Sequence, residues 1–244
     1  MTDVSALRRE DRGAAQLKVR ALEAWYGESQ ALYGVDLDVY PGETVTLLGR
    51  NGVGKTTLMK AIMGLLPIKS GEITMNNQAL HKLSAERRAY EGIGYVPQGR
   101  DIFPMLTVEE NLRIGLPVRK SKEIPEKIFE LFPVLKEMLH RRGGDLSGGQ
   151  QQQLAIGRAL VLEPKVLILD EPNEGIQPNI VKQIGDVILK LNEEEGLTVI
   201  LIEQKLGFAR RVGKEFRLME KGRIVAADKM ENLNDDLIKQ YLAV

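Results

Sequence analysis

Short apolar runs rich in β-branched residues alternate along the chain with longer segments whose apolar residues recur at helical spacing. Runs with the length and composition of strands lie at residues 17–26, 31–39, 44–48, 72–75, 166–169, 198–202, 216–219 and 223–227. Segments with helical periodicity lie at residues 55–65, 84–91, 107–116, 123–139, 148–162, 178–195 and 234–242. This alternation predicts an α/β protein with a mostly parallel sheet.

Capping patterns and helix content refine the prediction. Thr107 with Glu110, and Ser147 with Gln150, match the capping box that marks a helix start. The stretch from about residue 99 to 155 is rich in helical patterns, which indicates a helical insertion in the α/β core. We predict one domain over residues 17–244, preceded by a polar lead-in at residues 1–16.

Composition excludes several classes of function. The 34 Lys and Arg residues balance 34 Asp and Glu residues, which argues against a broad nucleic-acid-binding surface. Cysteine is absent, so disulfides, thiolate catalysis and cysteine zinc sites are excluded. No apolar run approaches the ~20 residues of a membrane helix, and the first residues lack the apolar core of a signal peptide. We therefore expect any membrane association to be peripheral.

The segment between the strand at 44–48 and the helix at 55–65 matches the phosphate-binding pattern G-x-x-x-x-G-K-[ST]. Its glycines would let backbone N–H groups approach a phosphate, and the helix start adds the positive end of its dipole. Lys55 would place a cation on the outer phosphates, and the Thr56 hydroxyl would bind Mg²⁺. The predicted nucleotide-binding residues here are Gly49, Arg50, Asn51, Gly52, Val53, Gly54, Lys55, Thr56 and Thr57. A glycine-rich turn with an exposed lysine is the plainer alternative.

Two carboxylates follow the apolar run at 166–169. Because side chains alternate between the two sides of a strand, Asp170 and Glu171 are expected to have different roles. Asp170 would hold Mg²⁺, and Glu171 would act as general base on the attacking water. A solvated acidic turn is the alternative when this motif is taken alone.

A second candidate anion site lies at the start of the helix at 148–162. Gly148 and Gly149 leave its first N–H groups bare between the capping residues Ser147 and Gln150. A well-capped helix without a ligand is an equally good reading of this segment alone. Two phosphate cradles far apart in one chain suggest that each serves a different nucleotide.

Together, the three motifs resemble those of the ABC ATPase family, in that family's order and spacing. Residues 49–56 look like Walker A, residues 146–150 like the family signature and residues 167–171 like Walker B. The resemblance implies a P-loop NTPase core of ABC type, with an antiparallel β subdomain and an inserted helical subdomain. It also implies that two ATPase subunits pair head to tail, each ATP lying between one Walker A loop and the other subunit's signature.

Further roles carry over from the resemblance. Tyr26 lies where the family has an aromatic residue that stacks on adenine, although an ordinary strand aromatic is the alternative. Gln98 matches the glutamine that reaches Mg²⁺ and water, and Gln204 occupies the place of the usual switch histidine. The implied catalytic residues are Glu171, Gln204 and Gln98, and the implied Mg²⁺ ligands are Thr56, Gln98 and Asp170.

Two departures from the family pattern are Gln204 in place of histidine and Gln177 in place of an aspartate after Walker B. They resemble the ATPases of hydrophobic-amino-acid and urea importers. Segments 95–112, 147–160 and 174–178 look most like the urea-uptake member, with the branched-chain amino-acid member as close rival. We therefore expect urea uptake, with branched-chain amino-acid uptake as the alternative.

The resemblance implies ATP and Mg²⁺ as cofactors and a second ABC ATPase subunit, expected to be a paralogue, as partner. It further implies transmembrane permease subunits, a periplasmic or extracellular solute-binding protein acting indirectly, and no nucleic acid. The chain is expected on the cytoplasmic face of the inner or plasma membrane. The apolar loop residues 102–104 are a candidate permease contact or a small satellite core. A non-transport ABC ATPase and a P-loop small-molecule kinase remain as alternatives.

Overall fold

The computed structural model describes residues 13–119 and 121–242. In it the chain folds into two β-sheets with helices packed around them. The strands are β1 (Leu17–Tyr26), β2 (Ser29–Val39), β3 (Thr44–Leu48), β4 (Ile68–Met75), β5 (Gln78–Ala79), β6 (Ile93–Val96), β7 (Val166–Asp170), β8 (Thr198–Ile202), β9 (Glu215–Glu220) and β10 (Arg223–Lys229). The helices are α1 (Lys55–Met63), α2 (Ala85–Tyr90), α3 (Val108–Arg113), α4 (Leu116–Arg119), α5 (Glu126–Leu131), α6 (Pro133–Glu137), α7 (Gly148–Leu160), α8 (Pro178–Glu195), α9 (Leu206–Val212) and α10 (Asp235–Tyr241). Within these residues no helix is long and apolar enough to cross a membrane.

The first sheet is antiparallel, with strand order β2-β1-β4-β5. Strand β1 alternates buried and more exposed side chains, as expected of a strand with one face on the core. The alternation is interrupted at Ala21, whose φ of 44° accompanies a register shift and whose N–H donates to the Asp36 carboxylate at 2.8 Å. This sheet is the antiparallel β subdomain that the sequence predicts. Of the predicted lead-in, residues 1–12 lie outside the described residues, and the N–H of Gln16 donates to the carbonyl of Val39.

The second sheet has the strand order β10-β9-β3-β8-β7-β6. Strands β6, β7, β8, β3 and β9 pair in parallel, and β10 closes the edge as an antiparallel hairpin with β9. The three central strands β3, β8 and β7 are buried along their whole length, which explains why they do not alternate apolar and charged residues. Because parallel strands end at the same edge, the segments after β3, β6, β7 and β8 meet there.

The helical insertion lies between β6 and β7 and shares an apolar core with one face of the central strands. Large residues from α3, α5, α6 and α7 pack together and onto one face of the central strands, including Leu112, Ile128, Phe132, Leu135 and Leu154. Gly157 of α7 allows this close packing, since a Cβ there would lie 3.1 Å from the Leu135 side chain. The sequence-based prediction of a helical insertion agrees with these contacts.

Several element boundaries differ from the prediction. The predicted helix at 123–139 is two short helices, because Pro133 disfavours helical geometry at Phe132, where φ is −134° and ψ is 75°. The predicted helix at 107–116 ends at Arg113, and a new helix begins at Leu116. Strand β4 begins at Ile68 rather than at residue 72, and β5, β6 and α9 were not predicted.

Candidate functional site

The loop from Gly49 to Gly54 connects the end of β3 to the start of α1. A Cβ on Gly49 would lie 2.5 Å from the carbonyl oxygen of Met219 and 2.9 Å from the Val53 side chain, so only glycine fits. Gly54 is the N-cap of α1 with φ of 109°, and no side chain caps the first turn. The start of α1 therefore presents backbone N–H groups that its own cap residue leaves to a ligand.

Lys55 is the first residue of α1, and its side chain folds back onto this loop. It is only 5% exposed. Its ammonium donates to the carbonyl oxygens of Gly49 at 2.7 Å and Arg50 at 2.8 Å. Burial lowers the pKa of Lys55, and the carboxylates of Glu171, Asp170 and Glu203 act in the opposite direction. A desolvated cation at the mouth of a glycine loop is suited to bind phosphate oxygens.

Asp170 ends β7 and is 1% exposed. Among the described residues neither of its carboxylate oxygens has a hydrogen-bond partner of good geometry. Burial raises the pKa of Asp170, while the nearby Thr56 hydroxyl favours the ionised form. An unpaired buried carboxylate beside a hydroxyl fits a hard divalent cation such as Mg²⁺. No cluster of three acidic, histidine or cysteine side chains is available for a metal in the described ranges, so water or phosphate oxygens would have to complete the coordination.

Glu171 lies at the centre of a hydrogen-bonded network at the carboxyl edge of the sheet. The amide of Gln98 donates to one of its carboxylate oxygens at 3.3 Å, and the amide of Gln204 donates to the other. The same Gln204 amide donates to the side-chain oxygen of Asn51 at 2.6 Å. The φ of Glu171 is 49°, a left-handed conformation that is uncommon outside glycine and clusters at functional sites. The fold thus brings the three predicted catalytic residues together with the phosphate-binding loop.

Gln98 hydrogen-bonds to this network, whereas Gln177 lies exposed at the start of α8. The Gln98 amide also donates to the Glu174 carboxylate at 3.0 Å, so in this conformation it binds two carboxylates rather than joining Asp170 and Thr56. Gln177 is the exposed N-cap of α8, and its side chain makes no capping hydrogen bond.

Glu203 is a further carboxylate of this site that was not identified from the sequence. It follows β8 and is 2% exposed, with one oxygen accepting the backbone N–H groups of Gln204 at 2.8 Å and Lys205 at 2.9 Å. Its other oxygen is buried without a partner in the described structure, and burial raises its pKa. The signal that could have found it is an acidic residue after a fully apolar strand, the same pattern that marks Asp170.

Tyr26 borders an open cleft beside the phosphate-binding loop. Its side chain is 48% exposed, and Gly52, Gly54 and Thr57 line the same cleft. An exposed aromatic face next to the loop is available for stacking on a planar base.

The second cradle is a capped helix start with neighbours of its own. The Ser147 hydroxyl accepts the N–H of Gln150 at 3.3 Å, and the Gln150 side chain accepts the N–H of Ser147 at 2.9 Å, which confirms the capping box. A Cβ on Gly148 would lie 3.1 Å from the Arg100 guanidinium, and one on Gly149 would lie 3.0 Å from Ile180. These neighbours are not those of Gly49 and Gly54, so the two cradles are built by different segments.

Comparisons with known proteins agree with this architecture. The ABC transporter family matches residues 32–174, more than half of the chain. The chain is 42% identical to the high-affinity branched-chain amino acid transport ATP-binding protein BraG of Pseudomonas aeruginosa over 210 residues, covering 85% of this chain and 90% of BraG. It is 37% identical to the probable branched-chain amino acid transport ATP-binding protein LivF of Archaeoglobus fulgidus over 211 residues, covering 85% of this chain and 89% of that protein.

Among solved structures, the ATP-binding cassette MJ0796, a dimer in a post-hydrolysis state with ADP and Pi, superposes with a TM-score of 0.78 at 27% identity. The match covers 88% of this chain and 98% of MJ0796. Given the glycine loop, the acidic strand end, the capped second cradle and these matches, the chain belongs to the ABC transporter family, as an ATP-binding subunit with the ABC ATPase fold and ATP-hydrolysing activity.

Proposed function

We propose that this chain is the ATP-hydrolysing subunit of an ABC importer that takes up branched-chain amino acids. The observation that carries the catalytic part is the Glu171 carboxylate, held between the amides of Gln98 and Gln204 beside the phosphate-binding loop. The relatives BraG and LivF, both named for branched-chain amino acid transport, support the substrate class. The urea uptake expected from sequence has no such support from these two relatives, so the branched-chain alternative becomes the main proposal.

ATP would bind along the line from Tyr26 to the start of α1. The exposed Tyr26 ring would stack on the adenine, and the backbone N–H groups of residues 49–57 would surround the phosphates. The Lys55 ammonium, now on the carbonyls of Gly49 and Arg50, would turn to phosphate oxygens when the nucleotide enters. The free energy lost when the ammonium leaves the carbonyl oxygens is offset by its charge-assisted hydrogen bonds to phosphate.

The residues that fit Mg²⁺ are Asp170 and Thr56, because in the described part of the chain neither buried Asp170 oxygen has a hydrogen-bond partner and the Thr56 hydroxyl lies nearby. Gln98 would join them only by releasing Glu171 or Glu174. When bound with the nucleotide, Mg²⁺ neutralises the charge that develops on the phosphates.

Glu171 would accept a proton from the attacking water as that water's oxygen bonds to the γ-phosphorus and the bond to ADP breaks. The two glutamine amides donate to different oxygens of Glu171 and so fix the plane of its carboxylate. Gln204 also bonds Asn51, which ties the carboxylate to the phosphate-binding loop. A neutral amide at this position can donate to the γ-phosphate but cannot carry the charge of a histidine.

The second cradle, Ser147–Gln150, would close on the nucleotide held by a partner ATPase subunit, expected to be a paralogue. The dimeric MJ0796 structure and the separate neighbours of the two cradles support this pairing. We propose transmembrane permease subunits as further partners at the cytoplasmic face of the membrane, with a solute-binding protein delivering the amino acid from the other side.

The experiment is reconstitution of the assembled transporter in lipid vesicles, with leucine or urea supplied through the solute-binding protein. Glu171→Gln should retain ATP binding and lose ~10²–10⁴-fold in hydrolysis, the usual contribution of a general base. Lys55→Ala should weaken nucleotide binding itself. Glu130→Gln, which alters an exposed carboxylate on α5, is the matched control and should hydrolyse ATP normally.

Each result decides one part of the proposal. Near-normal turnover in Glu171→Gln would remove Glu171 from the role of base. Stimulation of hydrolysis by urea and not by leucine would show that the transported substrate is urea rather than a branched-chain amino acid. Failure to co-purify with any permease would favour a non-transport ABC ATPase.

A further inference from the structure

Arg100, in the loop between β6 and α3, contacts three segments that belong to different parts of the proposed mechanism. Its guanidinium packs against Gly148 at the start of α7, so closely that a Cβ added to Gly148 would lie 3.1 Å from a guanidinium nitrogen. It donates to the side-chain oxygen of Gln151 at 3.2 Å and to the backbone carbonyl of Glu174 at 3.4 Å. Arg100 therefore joins the loop that carries Gln98, the signature segment and the loop that follows Glu171.

A second arginine holds the backbone from which Arg100 extends. Arg158 of α7 donates to the carbonyl oxygen of Asp101 at 2.8 Å and to that of Arg100 at 3.4 Å. Its guanidinium also lies 5.3 Å from the centre of the Phe103 ring. Arg100 and Asp101 have φ values of 75° and 46°, which are unfavourable for residues with a side chain. The contacts of Arg158 keep this strained turn in place, so the direction of the Arg100 side chain is set by α7.

The position of Arg100 is not explained by helix stability. A cation near the N-terminus of a helix opposes the helix dipole, and Arg100 lies over the first residue of α7. A guanidinium, however, is a rigid fork with five donors, which lets it bind acceptors on several segments at once. Arg100 therefore links the loop of Gln98, the signature segment and the loop after Glu171, although its charge destabilises the first turn of α7.

We propose that Arg100 is a positioning residue, which couples Gln98 and the loop after Glu171 to the signature segment of the same subunit. The inference rests on the proposed function, in which Gln98 serves this subunit's nucleotide and Ser147–Gln150 serve the partner's. When Gln98 moves on nucleotide binding, Arg100 moves with it and shifts the start of α7. The state of one nucleotide site thereby sets how well the signature segment closes on the other.

The test uses the assembled transporter with Arg100→Ala or Arg100→Lys in this chain. Own-site ATP binding by the purified subunit should be unchanged, because neither the phosphate-binding loop nor Tyr26 contacts Arg100. The kcat for ATP hydrolysis should fall roughly 10-fold or more, within the ~10²-fold that a 1 Å misplacement can cause. Lysine should not rescue it, because a single ammonium cannot pack flat on Gly148 and span both acceptors. Combined with Gln98→Ala, the Arg100→Ala loss should be less than additive, since both act through the same link.

Arg113→Ala is the matched control, because Arg113 also lies in the helical insertion and binds Glu109 through two nitrogens at 2.8 and 2.9 Å. It should leave kcat unchanged. Wild-type kcat in Arg100→Ala would overturn the proposal, as would losses that add fully to those of Gln98→Ala. A lowered Tm large enough to explain the lost turnover would overturn it too. Glu171→Gln in the same preparation separates the two ideas: if that variant stays active, the proposed catalytic function fails whatever Arg100 does.

Discussion

At the scale of single residues, three carboxylates within electrostatic reach of Lys55 are kept apart in role by their surroundings. Asp170 is buried, and neither of its oxygens has a hydrogen-bond partner in residues 13–119 and 121–242, which suits a metal ligand. Glu171 is partly exposed and held by two amides, which suits a base that must meet water. Glu203 is buried and bonded to the backbone of the turn that carries Gln204, which suits a residue that shapes that turn.

Glu203→Gln should change how stability depends on pH. Burial raises the pKa of Glu203 in the folded chain above its value in the unfolded chain, which is ~4.3. Its contribution to stability is therefore fully present below the unfolded pKa and is lost as pH rises through the folded pKa. Glutamine can still accept both backbone N–H groups and has no charge to bury. The free energy of unfolding of the variant relative to wild type, measured with urea, should be larger at pH 8 than at pH 5; equal differences would contradict this.

At the scale of elements, two helices of the insertion begin with the same device. Thr107 and Glu110 form a capping box at the start of α3, and Ser147 and Gln150 form one at the start of α7. No nucleotide role is predicted for the first box, whereas the second forms the predicted signature. One device therefore serves stability alone in α3 and is proposed to serve both stability and nucleotide closure in α7.

The two capping residues give a matched pair of variants. Thr107→Ala and Ser147→Ala should each lower the free energy of unfolding by ~1 kcal/mol, the usual loss of an N-cap. Only Ser147→Ala should lower ATP turnover, because only its hydroxyl belongs to the cradle that we propose to close on the partner's nucleotide. Urea unfolding and steady-state hydrolysis of the assembled transporter give the two quantities. Equal turnover in the two variants would argue against a nucleotide role for Ser147.

At the scale of the whole molecule, the parallel sheet gathers the proposed catalytic residues at one edge, and the insertion presents a second cradle built from other segments. We propose that a subunit with its two cradles on separate segments completes neither nucleotide site by itself. Two subunits facing each other head to tail would complete two sites. The contact from Arg100 to Gly148 is the route by which we propose that these sites influence each other.

In the absence of the paralogue, hydrolysis by the purified chain should therefore depend on the pairing of two copies of this chain. The rate per chain should fall as the protein is diluted, because pairing is required before either site is complete. Ser147→Arg should bind ATP normally and yet remain inactive at every concentration, since a bulky cation would block closure on the partner. A constant rate per chain across a wide dilution range would mean that a single subunit catalyses the reaction, and the head-to-tail proposal would fail.

The sequence by itself determined the parts that depend on local geometry. The loop at Gly49–Thr56, both capping boxes and the apolar strands β3, β7 and β8 follow from spacing and residue type within a few positions, because φ preferences, capping and burial act over that range. Glu171 was predicted as general base from the acidic end of its strand, and Gln98 and Gln204 were predicted as catalytic residues through family resemblance. These roles remain predictions. The helix break at Phe132-Pro133 could also have been predicted from local sequence, because proline restricts the residue before it. The predicted helix at 123–139 was wrong at this point.

Only the tertiary structure decided which of these pieces meet. Gln98 and Glu171 are 73 positions apart in sequence, and Gln204 and Asn51 are 153 apart, so their contacts depend on the order β3-β8-β7-β6. Arg100 escaped prediction for the same reason, and the acidic residue after β8 marked Glu203 only as a candidate whose burial the packing decides. A carboxylate becomes a buried member of the site, and an arginine becomes a link to Gly148, only when distant strands and helices pack around them. Local preferences set the conformation of each segment, whereas the packing of distant segments sets the chemistry they share.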